Sequence, residues 1–234
     1  YKMNIIDFSS QDVQLSLGKS TQSAAQIAIE SLSLAAKDLK KNQIDILLTL
    51  PVNKKNISLI KTDFVGHTEY FSSQFNDQDN LMLLCSEQLK IATATNHISV
   101  SKISKAITKS LIKRKVNILT QTLKKDFLIS RPKIAILSLN PHAGDDGLIG
   151  QEEDKIIKPA IDELVKKGYL IHGPCSADGF FGSRAYMNFD AVLAMYHDQA
   201  LIPFKAIAFG EGVNYTAGLP VIRVSPDHGV GYDI

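Results

Sequence analysis

The chain has 234 residues, 44% of them hydrophobic and 21% charged, with a net charge of +2. That length suffices for one large or two small domains with a sizeable core, and the near-neutral balance argues against a dedicated nucleic-acid surface, which shows a concentrated basic excess. No apolar run approaches the roughly 18 residues of a membrane span, and the lone Cys85 and Cys175 lack thiolate-zinc spacing and suit a reducing cytoplasm.

Taken in chain order, strand-like and helix-like segments alternate, which predicts an α/β protein with a largely parallel sheet. Residues 20–41 predict a helix, with Ser23 and Gln26 at capping-box spacing and Ile27, Leu32, Leu34, Ala35 and Leu39 apolar along it. Residues 44–50 read as a buried strand ended by Pro51, residues 81–85 and 90–95 as short strands, and residues 101–129 as two helices or one broken one. A strand is expected over 133–139, then a glycine-rich loop over 140–150. The helix after it is the best marked. Glu152, Glu153 and Asp154 occupy its first turn, Lys166 and Lys167 its last, and Gly168 the position beyond. Asp162–Lys166 and Glu163–Lys167 fall at the favourable i,i+4 spacing. Strand-like runs at 169–172, 190–196 and 221–224 complete the pattern. The chain opens at Tyr1 without Met and stops just after a glycine-rich motif, so it reads as an internal fragment.

Three strand-like runs each deliver a histidine where the strand would emerge: His97, His142 and His197. Neutral imidazole is the commonest ligand for zinc-like ions, and three protein ligands with open positions describe a catalytic site. Carboxyl ends of parallel strands are also where open α/β sheets bind ligands. Spacing alone weighs a metal site and three hydrogen-bonded loop histidines equally. In FVGHTEYF, Gly66, His67 and Thr68 precede a predicted helix, where a hydroxyl, a ring N–H and free amides can meet an anion, or where Thr68 simply caps the helix. Lys205, Asn214 and Arg223 form a second set suited to phosphate and carboxylate. The apolar Pro203-Phe204 before Lys205 would favour its neutral amine, and Arg223 inside VIRV needs a ligand or a structural acidic partner. No GxGxxG occurs, so the ordinary dinucleotide fingerprint is absent.

The segments PVNK at 51–54, GHTEYF at 66–71, ATATNH at 92–97, LNPHAG at 139–144, GP at 173–174 with AD at 177–178, DAVLAMYHDQ at 190–199 and GLPVIRVSPDHG at 218–229 closely resemble the 4-hydroxythreonine-4-phosphate dehydrogenase family. The resemblance covers nearly the whole chain in order. The family's opening GEPAGIG-type segment and its C-terminal helices are not in the chain. The resemblance implies a two-domain α/β/α fold related to isocitrate and isopropylmalate dehydrogenases, with a cleft between the domains and NAD bound without a Rossmann glycine motif. Residues 1–64 with 193–234 would form part of the cofactor domain, and 65–192 the substrate, metal and dimerisation domain. Matched by position, His97, His142 and His197 would hold a divalent metal in a site shared across a homodimer. His67, Thr68, Lys205, Asn214 and Arg223 would bind a small phosphorylated substrate. Lys205 or Asp178 would relay the proton, and His228, Gly229 and Asp233 in DHGVGYDI would lie on the cofactor's adenine side. Zinc, magnesium and cobalt all suit the expected site. The implied reaction is NAD-linked oxidation of 4-phosphohydroxy-L-threonine, in pyridoxal phosphate biosynthesis. A sibling dehydrogenase acting on threonate or erythronate 4-phosphate stays open, as does a non-catalytic, metal-stabilised dimeric binding protein. Neither a nucleic acid nor a membrane is an expected partner.

Overall fold

The computed structural model describes residues 5–7, 16, 18–64, 66–75 and 79–227. In chain order its elements are α1 (Gln22–Lys40), β1 (Ile46–Leu48), α2 (Lys54–Ile57), α3 (His67–Gln74), β2 (Leu81–Cys85), β3 (Lys90–Thr93), α4 (Val100–Ala106) and α5 (Lys109–Lys125). They continue with β4 (Lys133–Leu137), α6 (Lys158–Lys166), β5 (Leu170–Cys175), α7 (Ala177–Gly182), β6 (Ala191–Ala194), α8 (His197–Ala208), β7 (Val213–Ala217) and β8 (Ile222–Pro226). The fold class is α/β, as the alternation predicted. Two compact units divide the chain, residues 1–78 with 220–234 and residues 79–219. The sequence reading placed its breaks at 64 and 192.

In the first unit, α1 buries Ala25, Leu32, Ala36 and Leu39 along one face and carries Lys37 and Lys40 in its last turn. Its cap is Thr21, whose hydroxyl accepts from the Ala24 N–H at 3.2 Å, and Ser23 lies inside the helix. β1 pairs in parallel with β8. The expected buried strand over 44–50 shrinks to three residues, with Ile46 57% and Leu48 60% exposed. Those two side chains share a face by the strand's two-residue period, and that face is open; only Leu47, on the other, is half-buried.

The second unit holds six strands in the order β7-β2-β3-β6-β4-β5. β2 runs antiparallel to β7 and β3, and β3, β6, β4 and β5 are mutually parallel. The all-buried AVLA of β6 and Ile134–Leu137 of β4 are the continuous apolar runs of a parallel sheet covered on both faces. On one side they join Phe180, Tyr186 and Phe204 in a single cluster; α5 separately buries Ile112, Val116, Leu119 and Leu123. The helical stretch after residue 100 breaks because Thr108 turns extended and caps α5, accepting from Leu111 N–H at 3.1 Å.

The best-marked helix starts differently from its sequence signals. Glu153–Ile157 form a wide π turn before α6. Pro159 lies in the first turn of α6 and has no N–H to give, which removes one tightening bond there. The acidic first turn does pair along its own helix, Lys158 to Asp154 at 2.6 Å. Glu163 does not take Lys167; it meets Lys113 of α5 at 2.5 Å, because the packed neighbouring helix brings a cation closer than the helix's own next turn. No helix of the described residues is long and apolar enough to cross a membrane.

Candidate active site

The three histidines follow three contiguous parallel strands, β3, β6 and β4, whose carboxyl ends lie level through the registers Thr93↔Ala194 and Ile136↔Leu193. His97 and His197, after the adjacent β3 and β6, face each other with ring centroids 5.5 Å apart. Thr95 locks that pair's loops: its hydroxyl donates to the Met195 carbonyl at 2.7 Å and Ala94 N–H to the Ala194 carbonyl at 2.8 Å. Gln199 ties β6 to β4, accepting from Met195 N–H and donating to the Ser138 carbonyl, both at 2.7 Å. His197 Nδ1 lies 2.7 Å from an Asp198 carboxylate oxygen. An N–H donated there leaves the lone pair on Nε2, the tautomer that ligates metal ions.

His142 stands apart from that pair. It begins a turn in which His142, Ala143, Gly144, Asp145 and Asp146 all have positive φ, between 46° and 85°. One such residue costs an L-amino acid about 1 kcal/mol or more, so the turn must be held from outside. Glu153 holds it. Its carboxylate accepts from the Leu139 and Asn140 N–H groups at 2.8 Å each and from the Asn140 side-chain amide at 2.9 Å. Among the described residues no three His, Cys, Asp or Glu side chains are grouped closely enough to hold an ion. One chain therefore brings together two of the three expected histidines.

A second cluster lies in the first unit. Arg223 is only 3% exposed on β8, and its Nε donates to the Thr49 hydroxyl at 3.1 Å. Burial pulls its pKa down to about 10, with Glu69 opposing, so it stays cationic at neutral pH. His67 opens α3, and its Nε2 is buried without a hydrogen-bond partner. Burial first, then the Arg223 and Lys54 charges, lower the His67 pKa to about 4. The ring is thus neutral at pH 7, beside fixed positive charge, with one polar atom unsatisfied. The cap of α3 is Gly66, not Thr68. A Cβ at Gly66 would lie 3.0 Å from a Glu69 carboxylate oxygen and 3.4 Å from the Lys54 side chain, so both side chains lie close against the helix entry. Thr68, half-buried one residue on, is left with its hydroxyl in the first turn.

Lys205 and Asn214 belong to the second unit. Lys205 is exposed. The expected apolar enclosure fails because Phe204 takes the buried face of α8 and the next residue turns away from it. Asn214 is half-buried on β7. Asp178 is exposed at the start of α7, where the Ser176 hydroxyl bonded at 2.6 Å holds its carboxyl below the usual range, the Gly179 amide and His142 adding to the effect. His228, Gly229 and Asp233 lie outside the described residues. Sequence reasoning did not single out Thr95, Asp198, Gln199 and Glu153 for the site. Asp198 and Gln199 were legible as neighbours in HDQ; nothing in the sequence linked Glu153 to a loop 13 residues earlier.

The family described as "Pyridoxal phosphate biosynthetic protein PdxA" matches residues 1–234. A 4-hydroxythreonine-4-phosphate dehydrogenase of Bacteroides thetaiotaomicron is 46% identical over 234 residues, covering 100% of this chain and 64% of that protein. One of Sulfurihydrogenibium is 43% identical over 223 residues, covering 95% and 69%. The crystal structure of the Klebsiella pneumoniae 4-hydroxythreonine-4-phosphate dehydrogenase superposes with a TM-score of 0.85 at 35% identity, covering 94% of this chain and 66% of that one. The chain thus spans about two thirds of the length of the relatives it matches.

Proposed function

This chain belongs to the PdxA family of pyridoxal phosphate biosynthetic proteins, and we propose on that premise that it is the larger part of an NAD-linked, divalent-metal-dependent dehydrogenase. Its substrate on this reading is 4-phosphohydroxy-L-threonine. The observation that carries the reading is the His97–His197 pair, with His197 Nδ1 at hydrogen-bond distance from the Asp198 carboxylate.

The donor set fits a divalent ion that accepts nitrogen. His97 and His197 would hold it, with His142 as the third ligand. What supports a site shared between two copies is that His142 does not join the pair within one chain. Lys205 lies eight residues beyond His197 along α8, about 12 Å along the axis at 1.5 Å per residue, a gap that a bound substrate would span. When bound, such an ion supplies Lewis-acid polarisation of a hydroxyl, lowering its pKa.

The chain's own side chains account for the rest. Arg223, His67 and the Thr68 hydroxyl would bind the anionic end of the substrate, an acceptor filling the vacancy at His67 Nε2. Asn214 and Lys205 would hold the other end. That remote binding orients the secondary hydroxyl carbon for hydride transfer to NAD, and the hydroxyl proton is lost as the carbonyl forms. The resulting β-keto acid loses its carboxylate as carbon dioxide, and the Lys205 ammonium would give a proton to the carbon left behind. Asp178, a hydrogen-bonded carboxylate held below the usual range, is the poorer relay at neutral pH. His228, Gly229 and Asp233 would serve the adenine side of NAD.

The test is NADH formation from 4-phosphohydroxy-L-threonine by the purified protein with Co2+ or Mg2+ added. His97→Ala should abolish turnover while leaving the far-ultraviolet circular dichroism unchanged. Turnover unaffected by chelation and by His97→Ala would overturn the metal assignment, and a preference for threonate 4-phosphate would overturn the substrate.

A further inference from the structure

We infer that Glu153 is a positioning residue for His142, setting that ring's location by the shape of its hydrogen bonds and not by its charge. The inference rests on the reading of His142 as a metal ligand. Glu153 is 1% exposed, and the donors recorded for its carboxylate are the Leu139 and Asn140 backbone N–H groups and the Asn140 amide. These donors lie on the chain immediately before His142. On the far side, a Cβ at Gly144 would come within 2.8 Å of the second Glu153 oxygen. One carboxylate therefore grips the loop at 139–140 and abuts it at 144, bracketing the histidine.

The grip matters because the segment between has no conformational preference of its own for the shape it takes. Four of its five residues in the left-handed region are not glycine, and such residues return to the right-handed or extended regions when released. With the grip loosened, the His142 ring would sample many positions. Glu152 reinforces the same loop from the next position, accepting from the Asn140 amide at 2.8 Å while taking the Ser104 hydroxyl at 2.5 Å. Because both backbone donors fall on one Glu153 oxygen, an amide carbonyl of the same length can keep those two bonds and gives up only the one from the Asn140 side chain. A carboxylate one methylene shorter cannot reach. Outer residues that orient metal ligands commonly govern affinity by 10- to 100-fold.

The test is calorimetric titration of the purified metal-free protein with Co2+, comparing Glu153→Asp, Glu153→Gln and His142→Ala with the parent. We expect Glu153→Asp to bind Co2+ at least tenfold more weakly than the parent, and Glu153→Gln, which keeps both backbone bonds, to lose clearly less than Glu153→Asp. The geometry inference is overturned if Glu153→Asp binds like the parent, or if Glu153→Gln binds more weakly than Glu153→Asp, which would make charge the cause. His142→Ala separates this from the underlying reading: if it binds Co2+ like the parent, the ligand assignment falls. If it loses the ion while Glu153→Asp keeps it, only the role of Glu153 falls.

Discussion

The His67 ring makes the protein's stability fall with pH in a window that its surroundings define. Its folded pKa is about 4 against an ordinary 6.5, because of burial first and of Arg223 and Lys54 second. The folded state therefore resists a proton that the unfolded state accepts. The stability this represents is fully present above pH 6.5 and is lost as pH falls toward 4. Full linkage between pH 7 and pH 5 gives about 1.8 kcal/mol. The ring is only partly buried, and solvent screening trims that to about 1 kcal/mol. The assay is urea denaturation at both pH values for the parent and His67→Gln, whose side chain does not titrate. The parent should lose about 1 kcal/mol more than the variant on acidification. Equal losses would refute the buried, cation-flanked placement. Removing the second cause should move the ring part of the way back: in Arg223→Met the His67 resonances should titrate at higher pH than in the parent, but still below 6.5.

Two further outcomes follow from local geometry. Thr21, not Ser23, caps α1, so Thr21→Ala should cost about 1 kcal/mol in thermal or urea unfolding, whereas Ser23→Ala should change little. Burial pushes the Cys85 thiol pKa up to about 12, Lys90 opposing weakly, so Cys85 should react with iodoacetamide at pH 8 far more slowly in the folded protein than in urea. Equal rates in the two states would place Cys85 at an open surface.

The sheet was legible because parallel strands buried on both faces leave unbroken apolar runs, and AVLA at 191–194 and IAIL at 134–137 are such runs. The chain positions of His97, His142 and His197 at strand ends followed from where those runs stop. Their spatial relation did not, since strand order β3-β6-β4 is decided by long-range pairing. That order puts the strand before His197 between those before His97 and His142, and it is the left-handed turn after β4 that carries His142 away from the pair. The helix entries at 21 and 153 were blurred for a local reason: several residues near each entry can cap or carry negative charge, and packing selects among them. Likewise the Glu163 ion pair went to Lys113 because helix packing, absent from a one-dimensional pattern, set the shorter distance. Lys205 illustrates the opposite error. Sequence neighbours on a helix point about 100° apart, so an apolar neighbour in sequence does not enclose a side chain.

The central claim is that three histidines on contiguous strand ends hold one divalent ion, completed between two copies of the chain. Anomalous diffraction at the zinc edge, from crystals of the zinc-loaded protein, tests it most directly. The account predicts a peak about 2 Å from ring nitrogens of His97, His142 and His197, supplied between two subunits. A zinc ion bound elsewhere, or held at that edge without these histidines, would contradict it.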